Sequence, residues 1–298
     1  MMTKKTTTTK PGWWAMRQTD PSAYRLDLQF DGKGATRRIL LLADIHWDNA
    51  HCRLDLLKET LDEAKRIEAP IFSFGDHFCA MQGKWDKRAS ASALREEHRG
   101  GNYLDLLVST CADWFTPYAG NLAMISIGNH ETAIRRHHQV DLTQQLVALL
   151  RREGSPVIAG PYWGYIVIGC NVGGRITDNL KLHFHHGAGG GGPVSRGLID
   201  HSRTRSDYDA DVFVSGHIHR RNADENVITR VTSFGKVYQQ SQLFLRCSTW
   251  KDESNDGYHV EKGRAARPIG GWWLDLMATK AQGVRGNNYS LTVKAVPT

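Results

Sequence analysis

Five short apolar runs in this chain each end in the same small set of polar residues. The runs are ILLLA, IFSF, LAMISI, LKLHF and DVFVS, and the residues that follow them are, in order, Asp44 and His46, Gly75-Asp76, Gly128-Asn129-His130-Glu131, His185-His186-Gly187 and Gly216-His217-Ile218-His219. A short continuous apolar run predicts a strand that is buried on both faces. Because layered α/β proteins carry their chemistry at strand ends, the recurrence predicts a site where these polar side chains meet.

Two of the five strand ends carry metal-ligand residue types two positions apart, Asp44 with His46 and His217 with His219. Side chains at i and i+2 of an extended strand lie on the same face, so each pair is predicted to converge on one point. A glycine beside the polar residue allows a sharp turn and a close approach of the backbone. Each pair taken alone is as well explained by a turn or a surface pair, so the indication of a site comes from their joint occurrence.

The remaining pattern is typical of an α/β protein whose C-terminal third is mostly β. Apolar residues recur at helical spacing over residues 51–68, between two apolar runs, which predicts a strand–helix–strand unit with parallel strands. Further helices are predicted at residues 103–115, 142–152 and 198–205, and the segments beyond residue 226 alternate as strands. We expect residues 1–20 to be a flexible tail and residues 21–298 to form a single domain.

Composition places the chain among globular proteins of a reducing compartment. No apolar run reaches the roughly 18 residues that a membrane span requires, and the N-terminus lacks the apolar segment of a signal peptide. The five cysteines are scattered and include no CxxC pair, so neither a disulfide framework nor a thiolate zinc site is indicated. These features predict a cytoplasmic protein. The net charge of +7 permits an anionic substrate without requiring nucleic acid.

The five motifs, in this order, resemble those of the calcineurin-like metallophosphoesterase superfamily. That family carries Asp-x-His, Gly-Asp, Gly-Asn-His-Asp/Glu, a histidine commonly followed by glycine, and Gly-His-x-His, and here they span residues 44–219. The resemblance implies an α/β sandwich of two mixed β-sheets flanked by helices. It also implies hydrolysis of phosphoester bonds at a pair of metal ions. The length and the remaining content of the chain resemble bacteriophage-encoded members, for which the location would be the host cytoplasm.

The resemblance assigns roles to individual residues. The first metal would be held by Asp44, His46, Asp76 and His219, and the second by Asp76 as a bridge with Asn129, His186 and His217. Manganese is the expected metal, with zinc, iron and nickel as alternatives, because imidazole suits transition metals and carboxylates suit hard cations. Two such ions can clamp a phosphoryl oxygen and activate a water as nucleophile. The catalytic residues would be Asp76 and His130, and His130 would protonate the leaving alkoxide.

Three histidine and carboxylate assignments stay open on the residues alone. His186 is preferred to His185 as a ligand because it shares strand parity with apolar neighbours and is followed by glycine. Glu131 either orients a neighbour or is an acidic residue at a helix N-terminus, where the dipole favours it. His77 is expected either just outside the ligand set or at the surface.

The substrate is the least constrained prediction. The arginine that follows Gly-Asp in Ser/Thr protein phosphatases is missing, as is the tyrosine ligand of purple acid phosphatases. Phosphodiester hydrolysis, on DNA, RNA or nucleotides, is therefore the first expectation, and phosphomonoester hydrolysis is the second. A non-catalytic nucleic-acid-binding module with structural metal is a third. Basic residues around the last motif either track a phosphate backbone or are plain surface charge; they are Arg196, Arg203, Arg205, Arg220 and Arg221. The sequence does not indicate an oligomeric state.

Overall fold

The computed structural model of the protein describes residues 12–81, 93–190, 192, 197–254, 257–261, 263, 265–280 and 289–298. These residues form two mixed β-sheets. The first sheet has the strand order β1 (Trp14–Asp20), β2 (Ala23–Phe30), β7 (Trp163–Val172), β8 (Arg175–His185), β9 (Val212–Ser215), β11 (Val237–Arg246) and β10 (Asn222–Val231). The second has the order β13 (Tyr289–Pro297), β12 (Trp272–Lys280), β3 (Thr36–Leu42), β4 (Ile71–Phe74), β5 (Leu122–Ser126) and β6 (Ile158–Gly160).

Helices cover the outer faces of the two sheets. They are α1 (Leu54–Arg66), α2 (Tyr103–Phe115), α3 (Asn129–His138), α4 (Leu142–Arg152), α5 (Leu198–Asp207) and the short α6 (Gly257–Glu261). The apolar sides of α1, α2 and α4 share one core with the second sheet. On the first sheet, α5 places the ring of His201 against Phe244, with 5.5 Å between the ring centroids. The predicted sandwich of two mixed sheets flanked by helices is therefore confirmed.

Strand β3 shows why polar residues do not alternate with apolar ones in these runs. Its residues Leu40 and Leu42 pack against the helices, whereas Ile39 and Leu41 pack into the core between the two sheets. Because both faces are covered, all four side chains are excluded from water. Strands β3, β4, β5 and β6 pair in parallel, so they end at the same edge of the sheet.

The expected tail of residues 1–20 is wrong for its last part. Residues 14–20 form β1, which pairs antiparallel with β2, and β2 itself was not predicted. The pairing is favoured because Trp14 and Met16 pack against the core between the sheets and the Trp14 indole donates to the carbonyl of Glu68 at 3.0 Å. Residues 1–11 lie outside the described part of the chain. No helix in the described residues is long and apolar enough to cross a membrane.

Candidate dinuclear metal centre

Side chains from five strand ends meet at one place between the two sheets. Nitrogen and oxygen atoms of Asp44, His46 and His219 lie within 4.8 Å of one another, and those of Asp76, His186 and His217 form a second group of the same kind. Four of these six residues are buried, namely Asp44, His46, Asp76 and His186, whereas His217 and His219 are partly exposed. The predicted ligands are therefore brought together by the fold.

The backbone leaves the strand conformation at these residues. Five of the eight non-glycine residues with positive φ in the described part of the chain are predicted ligands: Asp44 (51°), His46 (49°), Asp76 (49°), His217 (70°) and His219 (55°). Left-handed backbone is unfavourable for residues with a Cβ and concentrates at functional sites. The observed strain therefore supports a functional site at these strand ends.

The prediction that His217 and His219 converge on one point is wrong. It assumed an extended strand, in which alternate side chains share a face. The left-handed turns after β9 instead direct His219 to Asp44 and His46, and His217 to Asp76 and His186. This division matches the assignment of His219 to the first metal and His217 to the second.

The first group has the donor atoms and the charge that a cation requires. The Nε2 atoms of His46 and His219 lie 3.1 Å apart, and His219 Nε2 is 3.4 Å from Asp44 Oδ1. Asp44 Oδ2 accepts the backbone N–H of His217 at 2.8 Å. Asp44 Oδ1 is buried and makes no hydrogen bond within the described residues. A buried carboxylate oxygen without a donor is costly, and a bound cation would satisfy it.

Glu253 supports the first group from outside it. Its Oε1 lies 2.5 Å from His219 Nδ1, and the same carboxylate is paired with His259 at 3.3 Å and Arg267 at 3.2 Å. Burial opposes a charged His219, but Asp44 and Glu253 outweigh it and raise the pKa of the imidazole to about 9. No motif marks Glu253, which lies in the polar stretch KDESND between two strands, so only the fold identifies it.

The second group is centred on Asp76 and Asn129. His186 Nε2 lies 3.1 Å from Asp76 Oδ2 and 3.0 Å from Asn129 Oδ1, and His217 Nδ1 lies 2.8 Å from the same amide oxygen. Burial opposes a charged His186, but Asp76 outweighs it and raises the pKa of the imidazole to about 10. The carboxylates that raise the pKa of these imidazoles also provide the negative charge that bound cations require.

Three of the imidazoles are fixed by the nitrogen that faces away from the centre. His186 Nδ1 lies 2.9 Å from the Phe74 carbonyl, His217 Nε2 lies 2.9 Å from the Gly189 carbonyl, and His219 Nδ1 faces Glu253. Because a carbonyl or carboxylate can only accept, each outer nitrogen carries the proton. The inner nitrogens are left to face the two groups. Metal-binding histidines are held in this way by their outer nitrogens.

His130 and Glu131, the last two residues of the Gly-Asn-His-Glu motif, have different surroundings at the start of α3. The Nδ1 of His130 donates to the Cys79 carbonyl, and its Nε2 lies 3.7 Å from Asp76 Oδ2. Its side chain is 8% exposed, so it lies at the edge of the centre. A nitrogen so placed is within reach of a substrate oxygen bound beside the two groups.

Glu131 holds two strand-end turns together. Its Oε2 accepts the N–H groups of Gly128 at 2.7 Å and Asp76 at 3.2 Å, and its Oε1 accepts the N–H of Phe78 at 2.9 Å. Burial and the nearby Asp76 carboxylate raise the pKa of Glu131 to about 7. Of the two roles left open by the sequence, the contacts favour orientation of neighbouring backbone.

Close approach of the backbone requires glycine at the strand ends, as Gly128 and Gly216 show. A Cβ atom on Gly128 would overlap the Asp76 carboxylate, and one on Gly216 would overlap the Asp44 carboxylate. The backbone of one strand end therefore lies directly against the side chain of another. This explains why glycine recurs beside the predicted ligands.

Two other histidines lie outside the centre. His185 accepts the N–H of Gly187 at 2.9 Å and lines a cavity of about 200 Å³ between α5 and the outer face of the first sheet. The expectation that His77 lies at the surface or just outside the ligands is wrong. It is buried, with Nδ1 3.3 Å from Ser73 Oγ and Nε2 3.5 Å from Cys111 Sγ. Burial on the helix side of β4 lowers the pKa of His77 to about 3.

No family model matches the chain, and no curated protein matches it. Among solved structures, a metallophosphoesterase from Sphaerobacter thermophilus is 14% identical with a TM-score of 0.34, and the match covers 87% of this chain and 88% of that one. A Thermotoga maritima protein solved by NMR is 12% identical with a TM-score of 0.29, covering 87% of this chain and 99% of that one. Both likenesses are distant, so the function proposed below rests on the side-chain geometry of this chain.

Proposed function

We propose that this protein is a dinuclear metal-dependent phosphoesterase, with phosphodiesters of nucleic acids or nucleotides as its first substrate class. The observation that carries the proposal is the set of three histidines whose outer nitrogens are fixed by hydrogen bonds while their inner nitrogens face buried carboxylate and amide oxygens. A structural ion pair would not require the outer nitrogens to be held in this way. In a metal site, by contrast, such a hydrogen bond orients the imidazole so that its other nitrogen faces the cation.

The donor set fits two divalent cations. Asp44, His46 and His219 would hold the first, and Asn129, His186 and His217 would hold the second, with Asp76 between them. The set combines imidazole nitrogen with carboxylate and amide oxygen and suits manganese, with zinc, iron and nickel as alternatives. When bound, such a pair supplies Lewis acidity and an activated water for attack on phosphorus.

Residues of the chain itself hold the site in position and supply the proton for the leaving oxygen. Asp76 Oδ1 accepts the backbone N–H of His130 at 3.0 Å, so the carboxylate also fixes the start of α3. The Cys79 carbonyl retains the proton on His130 Nδ1, so His130 Nε2 is the atom that exchanges a proton with a leaving oxygen. Glu131 fixes the turn that carries Asp76.

Phosphodiesters are preferred to phosphomonoesters because residues 77–81, the described residues directly after Asp76, include no basic side chain other than the buried His77 to bind a terminal phosphate. Residues 77–81 read His-Phe-Cys-Ala-Met, without arginine. The basic residues near the last motif give little further support to a phosphodiester substrate. Arg205 pairs with Asp224 at 3.2 Å, and Arg221 donates to the Ile269 carbonyl at 3.2 Å. Arg203 is exposed, and Arg196 lies outside the described residues.

A substrate panel on the manganese-loaded protein tests the proposal. The panel contains bis(p-nitrophenyl) phosphate, single- and double-stranded DNA, RNA, cyclic nucleotides and p-nitrophenyl phosphate. We expect hydrolysis of the diesters, lost on chelation and restored by manganese. Cleavage of the monoester alone would replace the diesterase by a phosphatase. An absence of cleavage together with tight, salt-sensitive binding of nucleic acid would favour a binding module.

A further inference from the structure

Cys79 brings a thiol to the edge of the proposed dinuclear centre. Its Sγ lies within 4.8 Å of a ring nitrogen of His46 and a ring nitrogen of His130, and these two lie within the same distance of each other. We propose that His46, Cys79 and His130 form an additional site, sharing His46 with the dinuclear centre, for a thiophilic divalent cation such as zinc or cadmium. Occupancy of this site would inhibit the enzyme. The inhibition, though not the site, rests on the phosphoesterase function proposed above.

The three side chains are held in place by the surrounding backbone. Asp48 Oδ1 accepts the N–H of Cys79 at 2.5 Å, and its Oδ2 accepts the N–H of Ala80 at 2.9 Å. The amide of Asn49 donates to Cys79 Sγ at 3.4 Å. Cys79 is 4% exposed and His46 is 2% exposed, so neither side chain can swing out to solvent without moving its neighbours. The cluster is therefore formed before any cation arrives.

An unsatisfied nitrogen provides an independent indication of a ligand. His46 Nδ1 is buried and makes no hydrogen bond within the described residues. This contrasts with His186, His217 and His219, whose outer nitrogens are all bonded. Burying a bare imidazole nitrogen carries a cost that a cation would remove. His46 Nε2 faces His219 in the first group, and a ring nitrogen of His46 also lies within 4.8 Å of the Cys79 and His130 ligand atoms.

The chemistry of the cluster selects a different cation from the dinuclear centre. Sulfur and two imidazole nitrogens form a soft ligand set that favours zinc and cadmium, whereas manganese prefers sites richer in oxygen. Three protein ligands with an open fourth position are a common tetrahedral zinc arrangement. On binding, the Cys79 thiol loses its proton to solvent and a sulfur–metal bond forms, with no change in oxidation state.

Binding at this cluster would take away the proposed proton donor. His130 Nε2 is the atom assigned to the leaving oxygen, because its Nδ1 is engaged by the Cys79 carbonyl. A cation on His130 Nε2 would block that proton transfer while leaving Asp44, Asn129 and Asp76 able to hold the two ions of the dinuclear centre. Zinc added beyond the dinuclear complement should therefore reduce turnover of the manganese enzyme.

The direct test is absorbance during titration of the protein with Co²⁺ or Cd²⁺ alone. The expected result is an ultraviolet thiolate-to-metal charge-transfer band that saturates with the added ion. The band should be lost in Cys79→Ser and weakened at least tenfold in apparent affinity in His130→Ala. It should persist in Cys52→Ser, a matched change of a second buried thiol, which instead donates to the Ile45 carbonyl. Circular dichroism establishes that each variant is folded.

Two outcomes overturn the site. A band that survives in folded Cys79→Ser would place the sulfur ligand elsewhere, and a band unchanged in His130→Ala would remove His130 from the cluster. A separate experiment measures activity. Zinc inhibition of the manganese-loaded enzyme, expressed relative to each protein's own uninhibited rate, should be at least fivefold weaker in Cys79→Ser than in the wild type. If no manganese-dependent hydrolysis is found, the phosphoesterase proposal fails while the absorbance result still decides the site.

Discussion

The Nδ1 of His219 lies 2.5 Å from Oε1 of Glu253, which joins a predicted ligand to a carboxylate that no motif contains. The contact fixes the imidazole so that its Nε2 faces Asp44 and His46. Outer carboxylates of this kind raise the basicity of the ligand and set its orientation. The relationship shows that the centre extends beyond the five motifs.

Replacing Glu253 by Gln should weaken the first cation position. The amide cannot match the charge of the carboxylate, so we expect one of the two manganese affinities, that of the first position, to fall by about 10–100-fold. Isothermal titration calorimetry measures this change. Glu59→Gln, an exposed position on α1, is the control and should leave both affinities unchanged. Equal affinities in Glu253→Gln and the wild type would remove Glu253 from the centre.

Replacing His130 by Ala should separate turnover from metal binding. If His130 donates the proton to the leaving oxygen, kcat should fall by roughly 10²–10⁴-fold while the manganese content is retained. Steady-state kinetics on bis(p-nitrophenyl) phosphate and elemental analysis provide the two readouts. His138→Ala, an exposed change on the same helix, is the matched control. Loss of a manganese ion from His130→Ala would show instead that His130 is a ligand.

Glu131→Gln should destabilise the protein even without metal. Gln has one oxygen where Glu131 uses two to accept three backbone N–H groups, so at least one buried donor loses its partner. The expected loss is about 1–3 kcal/mol in the free energy of unfolding, measured by urea denaturation of the metal-free protein. Glu153→Gln, at an exposed position after α4, should change stability very little. A Glu131→Gln variant as stable as the wild type contradicts the role as a backbone anchor.

Much of this centre follows from the sequence because the strands that carry it are continuous apolar runs. Helices α2 and α4 also have the predicted bounds, since their apolar positions recur at helical spacing. Strand β1 was not predicted because its pairing depends on distant residues, including the contact of Trp14 with Glu68. Glu253 and Cys79 could not be predicted, because each acts through neighbours that only the tertiary fold brings close.

His201 should make the protein sensitive to acid. Burial, with a smaller contribution from Arg246, lowers its pKa from about 6.5 to about 4. The unfolded chain therefore binds a proton more readily, so stability is full above pH 6.5 and falls as the pH decreases toward 4. In His201→Phe, we expect the loss of unfolding free energy between pH 7 and pH 5 to be smaller by about 2 kcal/mol. Urea denaturation at both pH values measures it.

The matched control for that experiment is His138→Phe, because His138 is exposed at the end of α3. The aromatic ring introduced at residue 201 should keep the stacking on Phe244 that the imidazole makes. If His201→Phe loses as much stability on acidification as the wild type and the control, the buried imidazole is not the group that takes up the proton.

The central claim is that Asp76 joins two cation positions, and metal stoichiometry tests it most directly. After loading with manganese and removal of free metal, elemental analysis of the wild type should give two ions per chain. Asp76→Asn should bind fewer ions and lose hydrolysis of bis(p-nitrophenyl) phosphate, while Asp105→Asn, an exposed change on α2, should match the wild type. A wild-type content below one ion per chain, or an Asp76→Asn variant with full metal content and full rate, would contradict the dinuclear centre.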